Sequence, residues 1–208
     1  MNIGIIGTGK IGGTLAGKLV AAGHDVGIAN AHGPRSLDEK ARELGLHACP
    51  MTVDEAARHG DVVIVSIPLG DYRSVPPEPL RGKIVVDTEN YYPQRDGHFA
   101  ELDEDRTTST ELLRDHLPDA RVVKSFNAVR WDTLRDAGKP SGEAGRIAMP
   151  LAGDDTEAKR IVAGLIDQIG FDPVDVGDLA HGGRRIQPGT PAYVAHVDAE
   201  EMRRRLAA

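Results

Sequence analysis

Three glycines near the start of the chain have the spacing of a turn that binds phosphate groups. They lie in GTGKIG at residues 7–12, between an apolar run at 2–6 and a segment with apolar residues at helical spacing. In such a turn the first glycine permits the bend, the second lets the backbone approach a pyrophosphate, and the third lets the helix pack closely on the strand. The N-terminus of the helix adds free N–H groups and the positive end of a dipole. The sequence therefore predicts a dinucleotide site, rather than a purely structural turn, that includes Gly7, Thr8, Gly9, Lys10, Ile11 and Gly12.

The loop after the second predicted strand indicates which dinucleotide is bound. It reads IANAHGPRS at residues 28–36 and places Asn30 where NAD-binding chains carry an acidic residue, about 20 residues after the glycines. A missing carboxylate removes the repulsion of a 2′-phosphate, and the planar fork of Arg35 is suited to bind one. The loop therefore favours NADP, with Asn30, Ala31, His32 and Arg35 as candidate contacts. In the alternative interpretation, Asn30 bonds the ribose and Arg35 faces water.

Two further stretches are expected at the same edge of the sheet. SIPLG follows the fourth predicted strand, and we expect Ser66, Ile67 and Pro68 to lie along the nucleotide, unless Pro68 only ends the strand. Aromatic residues follow the fifth and sixth strands and can form a platform for a flat ring such as a flavin, with ordinary packing as the alternative. Arg95 would order their loop or bind an anionic substituent. The candidate substrate-binding residues are Tyr91, Tyr92, Arg95, Phe126 and Trp131.

Hydride transfer is the chemistry that these features favour. It requires two stacked rings with their reacting carbons in contact, and it requires no nucleophile from the protein. The sequence shows no catalytic triad, and its eight histidines show no metal-ligand spacing. We therefore predict no catalytic residue and no metal, with NADP as the cofactor and a small molecule as the hydride acceptor.

The elements that must position these residues alternate between strands and helices. Apolar, β-branched runs predict strands at 2–6, 25–29, 46–49, 61–66, 83–87 and 121–124, with helices between most of them. Thr108 and Glu111 form a capping-box pattern that opens a helix, whereas residues 88–107 show no clear periodicity. The alternation predicts an α/β fold with a Rossmann-type doubly wound parallel sheet over residues 1–140.

A change of pattern follows the linker-like stretch PSGEAG. A strand at 146–152, a helix begun by Asp154 and Glu157, and a strand at 171–176 predict a small C-terminal α/β annex at 141–208. The two parts would form a dinucleotide-binding domain and a smaller attached domain.

Composition argues against several classes of function. The chain of 208 residues has 25 basic and 32 acidic residues, and this net charge of −7 argues against binding nucleic acid. The longest apolar run, at 62–69, is too short to cross a membrane, and the N-terminus lacks the features of a signal peptide. The one cysteine cannot form an internal disulfide, which fits a cytoplasmic location.

Taken together, the motifs resemble those of the coenzyme F420-dependent NADP oxidoreductase family. The resemblance rests on GIIGTGKIGGTLAGKL, IANAHGP, SIPLG, DTENYYPQRDG, VVKSFNAV, AGDDTEAKR and VGDLAHGGRRIQPGTPAYV. It implies hydride transfer between NADPH and the deazaflavin F420, the two rings stacking near Phe126 and Asn127, and a homodimer. Ala31 and His32 stand where members often carry Ser-Arg, which leaves Arg35 as the residue expected to bind the 2′-phosphate.

Other functions stay open at this stage. The acceptor could be a flavin instead of F420. A dinucleotide-binding sensor or partner protein without turnover would carry the same glycine turn. A small keto or imine reductase is less favoured, because such enzymes build their substrate site from a large helical C-terminal domain, whereas the residues after Lys139 are few and predict strands around a helix.

Overall fold

One sheet of eight strands forms the centre of the protein in a computed structural model that describes residues 1–207. Its strand order is β3-β2-β1-β4-β5-β6-β7-β8. The strands are β1 (Asn2–Ile6), β2 (Asp25–Ala29), β3 (Ala48–Pro50), β4 (Val62–Val65), β5 (Ile84–Asp87), β6 (Arg121–Ser125), β7 (Ala148–Gly153) and β8 (Asp172–Asp175). The first six strands pair in parallel and in the order of a dinucleotide-binding sheet, which confirms the predicted fold class.

Helices cover both faces of this sheet. They are α1 (Lys10–Ala21), α2 (Asp38–Leu44), α3 (Val53–His59), α4 (Pro93–Asp96), α5 (Ala100–Asp103), α6 (Ser109–His116), α7 (Trp131–Asp136), α8 (Thr156–Gln168) and α9 (Ala199–Ala207). Leu15, Leu134 and Val162 bring α1, α7 and α8 into one hydrophobic cluster. Ala57 and Leu113 bring α3 and α6 into a second cluster. Because both faces are covered, every residue of β4 and β5 is buried, and all of them are apolar except Asp87 at the end of β5.

The C-terminal part continues the same sheet. β7 pairs antiparallel with β6, and β8 pairs parallel with β7. One cluster includes both Ile5 of β1 and Met149 of β7, and Met202 of α9 packs in another cluster with Val174 of β8. The antiparallel pairing was not predicted, and the division into domains at 1–140 and 141–208 remains a prediction.

Side-chain caps determine where two of the helices begin. The hydroxyl of Thr108 accepts from the Glu111 amide, and the Glu111 carboxylate accepts from the Thr108 amide, so the predicted capping box is confirmed. The start predicted for α8 was wrong by one residue. Asp155 caps this helix by accepting from Ala158 N at 2.7 Å, because Asp154 instead accepts from Leu179 N at 3.0 Å.

The stretch 88–107, which showed no clear periodicity, contains the short helices α4 and α5. Within residues 1–207, no helix combines the length and the apolar character needed to cross a membrane.

Close packing of α3 on β1 yields a prediction about Gly4. A Cβ on Gly4 would lie 2.1 Å from the carbonyl oxygen of Ala56, which belongs to the backbone of α3 and cannot rotate away. We expect Gly4→Ala to lower the free energy of unfolding by about 1–3 kcal/mol, because the helix must shift. The matched control is Gly164→Ala on α8, where a Cβ meets nothing within 4 Å and better helix propensity should raise stability. Chemical denaturation of both variants tests this, and a Gly4→Ala protein as stable as the control would contradict it.

Candidate functional site

A pocket of about 400 Å³ lies at the C-terminal ends of β1, β4, β5 and β6. This edge is where ligands bind in doubly wound sheets, because the chain leaves the parallel strands there. The structure brings most of the sequence-predicted residues to the pocket wall. Those that line it are Gly9, Lys10, Ile11, Ser66, Ile67, Pro68, Tyr92, Arg95, Phe126, Asn127 and Trp131.

The glycine turn connects β1 to α1 at one end of this pocket. Gly7 has φ +99°, and a Cβ on Gly12 would lie 1.9 Å from the carbonyl oxygen of Gly7, so both glycines are required by the turn itself. Gly9 differs, because a Cβ there would meet no atom of the described part of the chain within 4 Å. No side chain within residues 1–207 caps the helix that Gly9 opens, which leaves its first N–H groups free beside this open space. Thr8 lies in the turn outside the pocket lining.

The loop after β2 begins beside the glycine turn, since Ala29 pairs with Ile6 of β1. Asn30 folds the loop back on itself, because its Oδ1 accepts from His32 N at 2.8 Å and its Nδ2 donates to Ser36 Oγ at 3.0 Å. The side chains of His32 and Arg35 are exposed and have no hydrogen-bond or ion-pair partner within residues 1–207. Ala31 is also exposed. None of these four predicted residues lines the pocket.

Lys40 is a cation near the glycine turn that the sequence analysis missed. Its Nζ lies 3.1 Å from the position that a Cβ on Gly13 would occupy, over the first turn of α1. No carboxylate in the described part of the chain pairs with it. The sequence carried no signal for this placement, since DEKAREL reads as an ordinary solvated helix.

Aromatic residues form another wall of the pocket. Lys10 Nζ lies 5.2 Å from the ring centroid of Trp131. The hydroxyls of Tyr92 and Tyr193 lie 2.5 Å apart, and burial together with this contact raises the pKa of Tyr193 above its usual value. Tyr193 comes from the C-terminal segment and was not predicted from the sequence.

Of two predicted residues in the segment after β5, Arg95 lines the pocket and Tyr91 does not. Arg95 Nη2 donates to Asn90 O at 2.8 Å and pairs with Asp96, so the guanidinium orders this loop at the pocket wall. Tyr91 lies outside the pocket, because its hydroxyl donates to Asp103 Oδ1 at 2.6 Å and its ring packs edge-on against Phe99.

Phe126 and Asn127 turn the chain after β6. Phe126 is buried with φ +59°, a strained conformation for a residue with a side chain. Asn127 Nδ2 donates to Asn90 Oδ1 at 3.1 Å and to Ile186 O at 2.8 Å. The Oδ1 of Asn127 is buried and has no partner within residues 1–207, so this pocket residue retains an acceptor that a ligand N–H could use.

A buried ion pair supports the floor of the pocket. The side chains of Lys124 and Asp87 are fully buried, with Nζ 3.4 Å from Oδ2. Lys124 also donates to Thr110 Oγ1 at 2.7 Å and to the backbone oxygen of Glu89 at 3.0 Å. The network therefore joins β5, β6 and α6 below the site.

Glu89 is the acidic residue that the sequence analysis missed. It lines the pocket and is 2% exposed, and neither of its carboxyl oxygens has a hydrogen-bond partner within residues 1–207. Its position directly after a parallel strand was the available signal, because such residues gather at the ligand edge. Other pocket residues that were missed are Thr88, Asn90, Val129, Arg130 and Val194. Across residues 1–207, no group of three or more His, Cys, Asp and Glu could hold a metal ion.

The buried ion pair yields a prediction about stability. We expect Lys124→Met to lower the free energy of unfolding by about 3–5 kcal/mol, because Asp87 would stay buried without its cation. The control is Arg81→Met, which removes a salt bridge to Asp119 between side chains that are 68% and 56% exposed, and it should have little effect. Urea denaturation measures both variants. If Lys124→Met and Arg81→Met have the same free energy of unfolding, the buried ion pair does not contribute the expected stability.

Comparisons with known proteins agree with this architecture. The family model described as NADP oxidoreductase coenzyme F420-dependent matches residues 2–91. The chain is 29% identical to the F420-dependent NADP reductase of Methanocaldococcus jannaschii, over 93% of this chain and 91% of that protein. It is 30% identical to the metalloreductase STEAP3 of Rattus norvegicus over 86% of this chain, but it spans only 34% of that longer protein.

Solved structures show the same similarity over nearly the whole chain. A hypothetical protein from Sinorhizobium meliloti has a TM-score of 0.82 and 33% identity, with 94% of each chain covered. A candidate F420-dependent NADP-reductase from Arthrobacter sp. FB24 has a TM-score of 0.73 and 28% identity, with 86% of each chain covered. In its glycine turn, its strand order and these relatives, the chain is similar to the coenzyme F420-dependent NADP oxidoreductase family.

Proposed function

We propose that this protein binds NADPH and transfers a hydride from it to the ring of a deazaflavin or a flavin. The observation that carries the proposal is the pocket of about 400 Å³, which extends from Gly9 at the glycine turn to Phe126, Asn127 and Trp131. For hydride transfer, a nicotinamide and a second flat ring must be in contact. The residues that line this pocket can orient both rings.

The residues at the glycine turn fit a dinucleotide. The open space next to Gly9 and the uncapped start of α1 suit a pyrophosphate, since free N–H groups and the helix dipole favour an anion there. The side chains of His32, Arg35 and Lys40 would surround a 2′-phosphate on the adenosine ribose. The unpartnered Oδ1 of Asn127 would accept a hydrogen bond from the carboxamide of the nicotinamide.

The choice of acceptor is supported by the names of family members. The Methanocaldococcus relative is an F420-dependent NADP reductase, which favours F420. The relative named a metalloreductase adds a metal complex to the compounds to be tested, beside a flavin. A small-molecule acceptor, a homodimer and a cytoplasmic location remain predictions.

Spectrophotometry of the purified protein without oxygen tests the proposal. NADPH is mixed with F420, FMN, FAD or a ferric chelate, and absorbance of both NADPH and the acceptor is followed. We expect F420 or a flavin to lose its absorbance in step with NADPH. Tight NADPH binding without reduction of any acceptor would contradict the proposal and would favour a dinucleotide-binding sensor.

Gly9→Ala is the matched variant for this experiment. A Cβ at Gly9 clashes with no atom of the described residues, so the variant should be as stable as the wild type. The same Cβ would occupy the space next to the pyrophosphate, and we expect NADPH affinity and turnover to fall at least about tenfold. Unchanged affinity would show that the turn does not hold the cofactor.

Arg35 yields a prediction about cofactor preference. A guanidinium bonded to a 2′-phosphate contributes about 1.5–3 kcal/mol, so Arg35→Ala should reduce the preference for NADPH over NADH by about tenfold or more. The control is Arg42→Ala, because Arg42 is also an exposed arginine, on the neighbouring helix α2, and its Nε donates to Asp38 O. Titration of both variants with NADPH and NADH measures the ratio. If Arg35→Ala leaves the ratio unchanged, this loop does not bind the phosphate through Arg35.

A further inference from the structure

The side chain of Glu89 is buried in the pocket wall, and no donor among the described residues bonds to its carboxyl oxygens. It is 2% exposed, and neither carboxyl oxygen has a hydrogen-bond partner within residues 1–207. An ionised carboxylate in such a place would lack both water and donors, which costs several kcal/mol, so the neutral acid is the favoured form.

The charged groups around Glu89 are already paired with other groups. Lys124 of β6 is bonded to Asp87 and Thr110, and it reaches only the backbone oxygen of Glu89. Asp87 of β5 adds a second negative charge two residues away. Burial, followed by the charge of Asp87, raises the pKa of Glu89 well above its usual value, and Lys124 offsets only part of this.

The cations in the other walls of the pocket also contact groups other than Glu89. Arg95 pairs with Asp96 of α4, and Arg130 pairs with Asp132 at 2.6 Å. Lys10 lies against the ring of Trp131. None of these three cations makes a hydrogen bond or an ion pair with the Glu89 carboxyl.

Reduction of a deazaflavin or flavin ring requires a proton as well as a hydride. NADPH gives up a hydride and becomes NADP⁺, and the acceptor gains that electron pair on one ring atom. The negative charge then rests on a conjugated ring nitrogen, which must take up a proton, so one H⁺ is consumed for each NADPH oxidised. A neutral acid in contact with the ring can supply it.

We propose that Glu89 is the proton donor for the acceptor ring, an inference that rests on the proposed function. The O–H of its carboxyl releases a proton to the ring nitrogen, and the carboxylate that remains takes a proton from water before the next turnover. Because Glu89 lines the pocket and neither of its carboxyl oxygens is hydrogen-bonded within residues 1–207, its carboxyl is available for this step.

The first test follows the apoprotein and does not need turnover. A carboxyl that stays protonated in the folded state but ionises in the unfolded state makes stability fall as pH rises above its usual pKa of 4.5. The difference in melting temperature between Glu89→Gln and the wild type should therefore shift steadily in favour of the variant as pH rises above 4.5. Glu101→Gln, at an exposed position on α5, is the matched control and should show no such trend. Parallel pH profiles for the wild type and Glu89→Gln would overturn the proposal.

The second test measures NADPH oxidation with F420 and with FMN. For Glu89→Gln we expect kcat to fall about a hundredfold, as for the loss of a general acid, with the Kd for NADPH unchanged. The solvent deuterium isotope effect on kcat should differ from that of the wild type. A wild type that reduces no acceptor overturns the proposed function together with this step. A wild type that turns over while Glu89→Gln keeps its kcat overturns only the role of Glu89.

Discussion

The pocket floor depends on one buried cation, the ammonium group of Lys124. Removal of this charge from water costs several kcal/mol, so a lysine is stable there only when its donors find acceptors. It finds them in Asp87, Thr110 and the backbone oxygen of Glu89. These acceptors belong to β5, to α6 and to the segment after β5, so one side chain on β6 holds the elements that meet below the site.

The same network determines which groups remain free for chemistry. Lys124 bonds the backbone oxygen of Glu89, and the carboxyl in the pocket wall has no hydrogen-bond partner among residues 1–207. Next to it, Asn90 and Asn127 are joined by hydrogen bonds, and the strained Phe126 turns the chain out of β6. Strained residues persist only where their surroundings hold them, so this edge of the pocket is preorganised. The opposite end has open space at Gly9 instead, and its chemistry comes from the backbone of α1.

Local patterns predicted much of the fold and more than half of the residues that line the pocket. Apolar periodicity predicted β1 to β6 and most helices between them, because each element buries a face that its own sequence encodes. The direction of β7 escaped prediction, because strand pairing depends on the path of the connection and not on the strand itself. The residue that caps α8 is Asp155 and not Asp154, because Asp154 accepts a hydrogen bond from the amide of the distant Leu179. Glu89 and Asn90 lay inside a stretch that was already singled out, but only their place in the pocket wall distinguishes them from other polar loop residues.

By itself, the sequence determined the glycine turn, the missing acid at Asn30 and the alternation of strands and helices, since each depends on residues close together in the chain. Only the tertiary structure decided which side chains reach the pocket. Tyr193 contacts Tyr92 across 101 positions, whereas Tyr91, one residue away, packs outside. Such outcomes depend on the strand order and on which acceptors are already bonded. These are properties of the folded chain as a whole, and no local pattern records them.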